Sequence, residues 1–269
     1  LFLISRDVAR DGIEELIQYI IRKDEIRISI PIYLADTPTA KEMFEAKQPA
    51  YTILSFGLRD TVNAAKEESM CVDMPTFELY DELCSPSKSG VIPLIEMVQI
   101  GDETLLQPNG SAVFSDFKLA GELDDKQTNY YIMSKGQLDQ GVLIDTDFSY
   151  EVQSSKTTVK VEESDGKIEF IYDIHLKLDL IHARRQASKE EQLQMIYDDM
   201  FKHFDDLTQT YFEEIDADFM GLANIYRVQK NKQYKLLENP SKMVKDNAVV
   251  TIRPLIEILS YGKAEGEQK

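Results

Sequence analysis

Tryptophan is absent from the 269 residues, and cysteine and histidine are scarce, with two and three of each. Cys71 and Cys84 allow a single disulfide pairing, but their spacing matches no metal or redox motif, so two free, partly buried thiols are the expectation. His175, His182 and His203 share no i, i+4 spacing and no HExxH is present, so no metal site is expected. The 12 glycines do not cluster, which removes glycine-rich phosphate cradles, and neither a GxSxG elbow nor a Walker lysine occurs. Long hydrophobic runs are missing as well. The most apolar early stretch, Leu16–Ile21, is interrupted by Gln18 and closed by Arg22 and Lys23, far short of the roughly 20 apolar residues of a membrane span. Basic residues are outnumbered, 30 against 48 acids, for a net charge of −18. Such a surface repels phosphate backbones, so nucleic acid is not expected as a partner, and an anionic membrane offers it no attraction. The chain opens on Leu1 rather than Met, which reads as a trimmed form without its targeting segment.

What is present is ordinary globular material, 43% hydrophobic and 29% charged, long enough for two or three compact units. The patterns predict an α+β, multi-domain chain. An N-terminal mixed α/β unit over 1–107, incomplete at its start, opens with a buried strand at Leu1–Ile4. A helix follows from Asp7, with Val8, Ile13, Leu16, Ile17, Ile20 and Ile21 at helical spacing. Ile26, Ile28, Ile30 and Ile32 alternate as a strand, and Pro31 within it places that strand at a sheet edge or at a bulge. Thr37-Pro38 opens a short helix, and Leu54, Leu58, Val62 and Ala65 mark another. A loop over 85–90 precedes an apolar strand from Val91 to Ile100, and Pro108-Asn109-Gly110 breaks the pattern.

A small central β-β-α piece is expected over 108–146: strands at Ser111–Phe114 and Lys118–Leu123, then a helix from Asp124 to Lys135 closed by Gly136. The C-terminal α+β unit, 147–269, reads as an antiparallel sheet covered by a long helix, in the order β-β-β-α-α-β. Asp165-Gly166 supplies the turn between alternating strands. The return strand has Tyr172, Ile174, Leu176, Leu178 and Leu180 on one face and Asp173, His175, Lys177 and Asp179 on the other. Ser188 and Glu191 form a capping box ahead of a helix carrying Leu193, Ile196, Met200, Phe204, Leu207, Tyr211 and Ile215.

No catalytic constellation is selected by these residues. Asp145, Asp147, Ser149 and Glu151 begin like a calcium loop, but Tyr150 holds the position that demands glycine and Lys156 the position that demands glutamate. The carboxylate pairs Asp124-Asp125, Asp198-Asp199 and Asp205-Asp206 read as solvated faces in so acidic a chain. Phe204, Tyr211, Phe212 and Phe219 fall at core spacing, with a ligand pocket as the other reading.

Residues 110–123, GSAVFSDFKLAGEL, resemble the junction segment of the Ger(x)C spore germination proteins, the C subunits of nutrient germinant receptors. Gly110, Ala112, Val113, Phe114, Lys118, Leu119, Gly121, Leu123 and Thr128 fall in that pattern, and Gly136 and Gly141-Val142 continue it. The strands from Phe148 to Val161, the acidic helix, Asp218-Phe219-Met220-Gly221-Leu222 and the ending from Ile252-Arg253 to Tyr261-Gly262 are similar to the family's C-terminal region. Tyr234 stands where the family often has Trp, and neither Cys71 nor Cys84 follows the apolar signal stretch of a lipid-modified cysteine. The resemblance implies a non-catalytic lipoprotein subunit required for germination. Its partners would be the integral-membrane A and B subunits, with a diacylglycerol anchor, absent here, holding it on the outer face of the spore inner membrane. No cofactor, metal or catalytic residue is implied. Two other classes stay open: an extracytoplasmic solute-binding protein holding a small polar germinant in an interdomain cleft, and a hydrolase built on a carboxylate pair.

Overall fold

The computed structural model describes residues 1–45, 54–101, 103–144 and 147–261. Its mixed α/β class with more than one sheet is the one the patterns predict. The N-terminal part contains β1 (Phe2–Ile4), α1 (Arg6–Asp11), α2 (Glu14–Arg22), β2 (Ile32–Ala35), α3 (Ala40–Glu45), α4 (Leu54–Glu67), α5 (Thr76–Cys84), β3 (Ser89–Ile100), β4 (Glu103–Ser115) and β5 (Lys118–Leu123). These strands form one sheet in the order β1-β2-β3-β4-β5. β1, β2 and β3 run parallel, and β4 and β5 add antiparallel. On one side, Ile92, Leu94, Ala112 and Phe114 pack against Ala9, Ile13, Ile17 and Leu79 of the helical layer. A smaller cluster joins Tyr33, Ala35, Ile95 and Leu106 to Met43, Leu58 and Val62.

Three expectations are corrected here. The helix from Asp7 is two helices, parted at Gly12, whose φ of 127° no helix accommodates. The isoleucine strand begins only after Pro31 and lies inside the sheet, between β1 and β3. Proline brings no N–H, so the ladder starts beyond it, although the Pro31 carbonyl still accepts from Phe2 N at 2.8 Å. Most consequentially, the break predicted at 108–110 is not a break. β4 runs through residue 107 and pairs with β3 on both sides of a bulge at Asn109-Gly110, so the two strands assigned to a central piece complete the first sheet. Gly110 bends the strand at φ 77° instead of ending it.

The predicted helix after Asp124 is α6 (Asp125–Ser134), capped reciprocally by Asp124 and Gln127 and closed by Gly136 at φ 68°. Four consecutive residues, Tyr130 to Met133, are each at most 4% exposed, so the second half of α6 is walled in on all sides while its first turn stays open. It shares a core with Val91, Val113 and Leu123 of the first sheet and Phe170, Tyr172 and Ile174 beyond.

The second sheet is β6 (Val142–Ile144), β7 (Phe148–Ser164), β8 (Lys167–Ala183) and β9 (Ala248–Ser260), in that order. The Asp165-Gly166 turn has φ of 51° and 79°, as a two-residue hairpin requires. Between β8 and β9 come α7 (Lys189–Gln209), a π turn over Thr210–Glu214, α8 (Leu222–Gln229), α9 (Asn231–Tyr234) and α10 (Pro240–Asn247). This return crossover makes β9 parallel to β8, which corrects the expectation of a purely antiparallel sheet with two helices. The seam Ile196, Met200, Phe204, Leu207, Tyr211 and Ile215 lies buried as predicted. Among the described residues β6 pairs with β7 at Ser149–Glu151, and Val152 N adds a bond to Gly141 O at 2.8 Å. Farther along, Gln229 of α8 stands in for a strand, accepting from Val161 N at 3.0 Å and donating to Val159 O at 2.8 Å.

Candidate functional site

The polar residues most deeply engaged lie where the loop after α5 meets α8. Asp218 is 7% exposed and carries a raised pKa, because burial penalises its charge more than its hydrogen bonds favour it. Those bonds come from Ala223 N and Leu222 N, both at 2.8 Å, from the Tyr211 hydroxyl at 2.8 Å and from Ser87. Gly221, left-handed at φ 78°, turns the chain so that the opening amides of α8 point back at the carboxylate. Asn224 N adds a bond to Ser87 Oγ at 3.3 Å, and Ser241 Oγ donates to Pro86 O. One carboxylate and one serine thus fasten a helix of the second unit to a loop of the first.

Beside this clasp, Lys135 pairs with Glu82 of α5 at 3.3 Å. Burial works against the Lys135 charge, but the facing Tyr131 oxygen and the Glu82 carboxylate outweigh it and hold the ammonium above its ordinary pKa. A cavity of about 430 Å³ opens here, lined by Ser85, Ser87, Ser89, Ser134 and Thr157. Each hydroxyl already has a partner inside the protein. Ser85 Oγ accepts from Ser87 N at 3.2 Å, and Ser89 Oγ donates to Ser87 O at 2.9 Å. Ser134 donates to Tyr131 O and Thr157 to Met133 O, both at 2.7 Å. The chemistry of this arrangement is holding: donors and acceptors of two sheets and α6 close on one another.

The residues singled out in the sequence are dispersed. His175 and His182 are exposed on β8, while His203 on α7 stacks on Tyr130, with ring centres 5.3 Å apart, and meets Asp199 at 3.2 Å. No group of three potential metal ligands occurs among the described residues. Cys71 is buried and Cys84 exposed, both free, and burial pushes the Cys71 thiol up to about 12. Asp145 of the calcium-like run lies outside the described residues. The carboxylate pairs differ from simple solvated faces: Asp124 caps α6, Asp125 accepts from Gly110 N at 2.6 Å, and Asp199 accepts from the Tyr130 hydroxyl at 3.0 Å. Phe204, Tyr211 and Phe219 are core, with Phe212 at its edge.

The GSAVF…GEL segment is the frame of this junction. Ala112, Val113 and Phe114 are fully buried in β4. A side chain on Gly110 would run into Leu123 O at 2.2 Å, and one on Gly121 into Ile215. Thr128 donates to Ser111 Oγ at 3.1 Å. Asp218 was visible in sequence only as part of a motif, since nothing in its neighbours announces a buried acid. Ser87 and Lys135 carried no signal beyond lying in a loop and at a helix end.

Comparison with known proteins places most of the chain. Residues 1–97 match the model described as "Spore germination protein N-terminal domain", and residues 109–262 match "Spore germination B3/ GerAC like, C-terminal". The fold is similar to that in "Crystal Structure of the GerBC protein", with a TM-score of 0.71 and 17% identity over 96% of this chain and 78% of that one. No curated protein sequence matches.

Proposed function

The chain belongs to the spore germination B3/GerAC-like family, and from that membership we propose that it serves as the C subunit of a nutrient germinant receptor. The observation that carries the reading is the match of both halves in their family order, on a fold shared with GerBC. The subunit works by contact with the membrane-embedded A and B subunits rather than by catalysis. Among the described residues no helix is long and apolar enough to cross a membrane. In the family reading a lipid anchor on the outer face of the spore inner membrane holds it beside them. The clasp around Asp218 supports this role, since it keeps the two sheets in fixed relation and lets the body present one shape to a partner.

The test is genetic and physical. Deleting the gene should abolish or slow germination on at least one nutrient, and restoring the anchored chain should return it. Co-purification from spore membranes should recover the A and B subunits with it. Unaltered germination across a broad nutrient panel overturns the proposal.

A further inference from the structure

The net charge of −18 is unevenly spread, and one stretch runs against it. From α8 to the end of α10 the chain carries Arg227, Lys230, Lys232, Lys235, Lys242 and Lys245, with Glu238 and Asp246 as the only acids of that stretch. Lys242 and Lys245 are answered, by Asp246 at 3.3 Å and Asp216 at 3.4 Å. Among the described residues Lys230, Lys232 and Lys235 form no ion pair. α9 buries none of its residues and is held by one side only: Tyr234 meets Tyr226, ring centres 6.3 Å apart, and Leu237 just beyond packs on the core. Lys232, Lys235 and Leu236, three and four positions apart, share the other side, and all three are exposed. At 84%, Leu236 is the most exposed large apolar side chain among the described residues. Leu237 and Met243 line a shallow groove with the Asp165-Gly166 hairpin, which places this surface at the hairpin end of the second sheet. Its charged neighbours there are Asp165, Lys167 and Glu163, the last engaged by the Tyr226 hydroxyl at 3.0 Å.

We propose that this end of the second sheet, centred on Lys232, Lys235 and Leu236, is a membrane-docking face that rests on the headgroups of an anionic lipid surface. The proposal rests on the reading of a membrane-held subunit and deepens it: the anchor brings the body to the bilayer, and this face sets which way it lies. At physiological ionic strength the Debye length is about 8 Å, so acids elsewhere on the body are screened from the bilayer and the charges of the touching face decide. Each lysine near an anionic surface adds about fivefold in affinity. Lysine stems lie along apolar surface while their ammoniums reach the phosphates, and a leucine between them gains by leaving water for the acyl boundary. A tethered body meets the surface at high effective concentration, so a small patch is enough to fix its orientation. A nucleic acid or an acidic protein would take the lysines alone; Leu236, standing clear of the body, favours a deformable apolar medium over a rigid charged surface.

The chain lacks tryptophan, so Leu236→Trp places a single indole fluorophore at the centre of the face. The variant is held by an amino-terminal His tag on vesicles that contain a nickel-chelating lipid. With phosphatidylglycerol in the vesicles its emission should shift to the blue and be quenched by brominated acyl chains; on phosphatidylcholine alone it should do neither. Salt of about 0.5 M should abolish the shift. Adding Lys232→Glu and Lys235→Glu should cut the ratio of docked to undocked protein by about tenfold or more. Ile181→Trp, at a site 53% exposed and roughly 40 Å along β8 from the hairpin, should report no shift. No shift on phosphatidylglycerol, an equal shift on phosphatidylcholine, an undiminished shift after charge reversal, or an equal shift at position 181 overturns the proposal. Each of these outcomes leaves the germination and co-purification tests of the receptor reading untouched, so the two readings fail separately.

Discussion

Two cavities touch α6, and they treat their polar atoms in opposite ways. Around the larger, Ser85, Ser87, Ser89, Ser134 and Thr157 are all engaged with protein partners, and Asp218 draws in two amides and a phenol. Around the smaller, between residues 68–70 and β6–β7, Asn129 Oδ1 is buried without a hydrogen-bond partner. The difference separates groups that fix a fold from one that goes unpaired. Hydroxyl richness, which suggests a sugar or polyol cleft, is here the signature of a joint.

That contrast can be broken or sharpened by mutation. The largest effect should come from Asp218→Ala, which leaves two helix amides and the Tyr211 hydroxyl without their acceptor: about 4 kcal/mol of stability lost in urea unfolding. A loss under about 1 kcal/mol would reduce the clasp to decoration. Gly110→Ala extends the comparison to the backbone between the cavities, since φ is 77° and the new methyl meets Leu123 O; about 3 kcal/mol should be lost.

The Asp218 charge should register in the pH dependence. Its folded pKa lies above the ordinary 3.8, so the stability it contributes is full below that value and is lost as pH rises through the folded pKa. Unfolding free energies of the protein and of Asp218→Asn, measured from pH 3 to 7, should therefore diverge, the parent falling relative to the variant as pH rises. Parallel curves would show that the four hydrogen bonds offset burial, and a parent that rises relative to the variant would show that they outweigh it. Lys135→Met removes a partly exposed pair with Glu82 and should cost about 1 kcal/mol. Smallest of all, Asn129→Leu should shift stability by no more than about 0.5 kcal/mol, in the stabilising direction, because an unmade acceptor disappears. A large destabilisation there would make the pocket another joint.

Periodicity made much of this molecule legible. The α7 seam, the Asp165-Gly166 hairpin and the Gly136 closure of α6 depend on residues within a few positions of one another, and all three lie where the sequence puts them. The errors fall where distant partners decide. Pro108-Asn109-Gly110 has the composition of a loop, but the strand passes it as a bulge, with pairing to β3 at Pro108 and again from Ser111. Pro31 sits at a strand's start inside a sheet rather than at its edge because β1 and β3 flank only the residues beyond it. The clasp was hidden for the same reason: Ser87 and Asp218 lie about half the chain apart in sequence, and an acid among 48 gives no hint of being the buried one. Asn129 could not be suspected at all, since its importance lies in what is missing around one oxygen.

The parallel seating of β9 on β8 bears on how the protein is made. Ile168 pairs with Ala248, so while α7 through α10 are still being translated, β8 has an open flank beside a face rich in Tyr172, Ile174, Leu176 and Leu178. A nascent chain paused in that interval is a sticky half-sheet, and newly synthesised copies stalled side by side would find each other's flanks before their own last strand arrives. Slow codons or a premature stop in that stretch should therefore send the product into inclusion bodies, a hazard of manufacture rather than of the finished molecule.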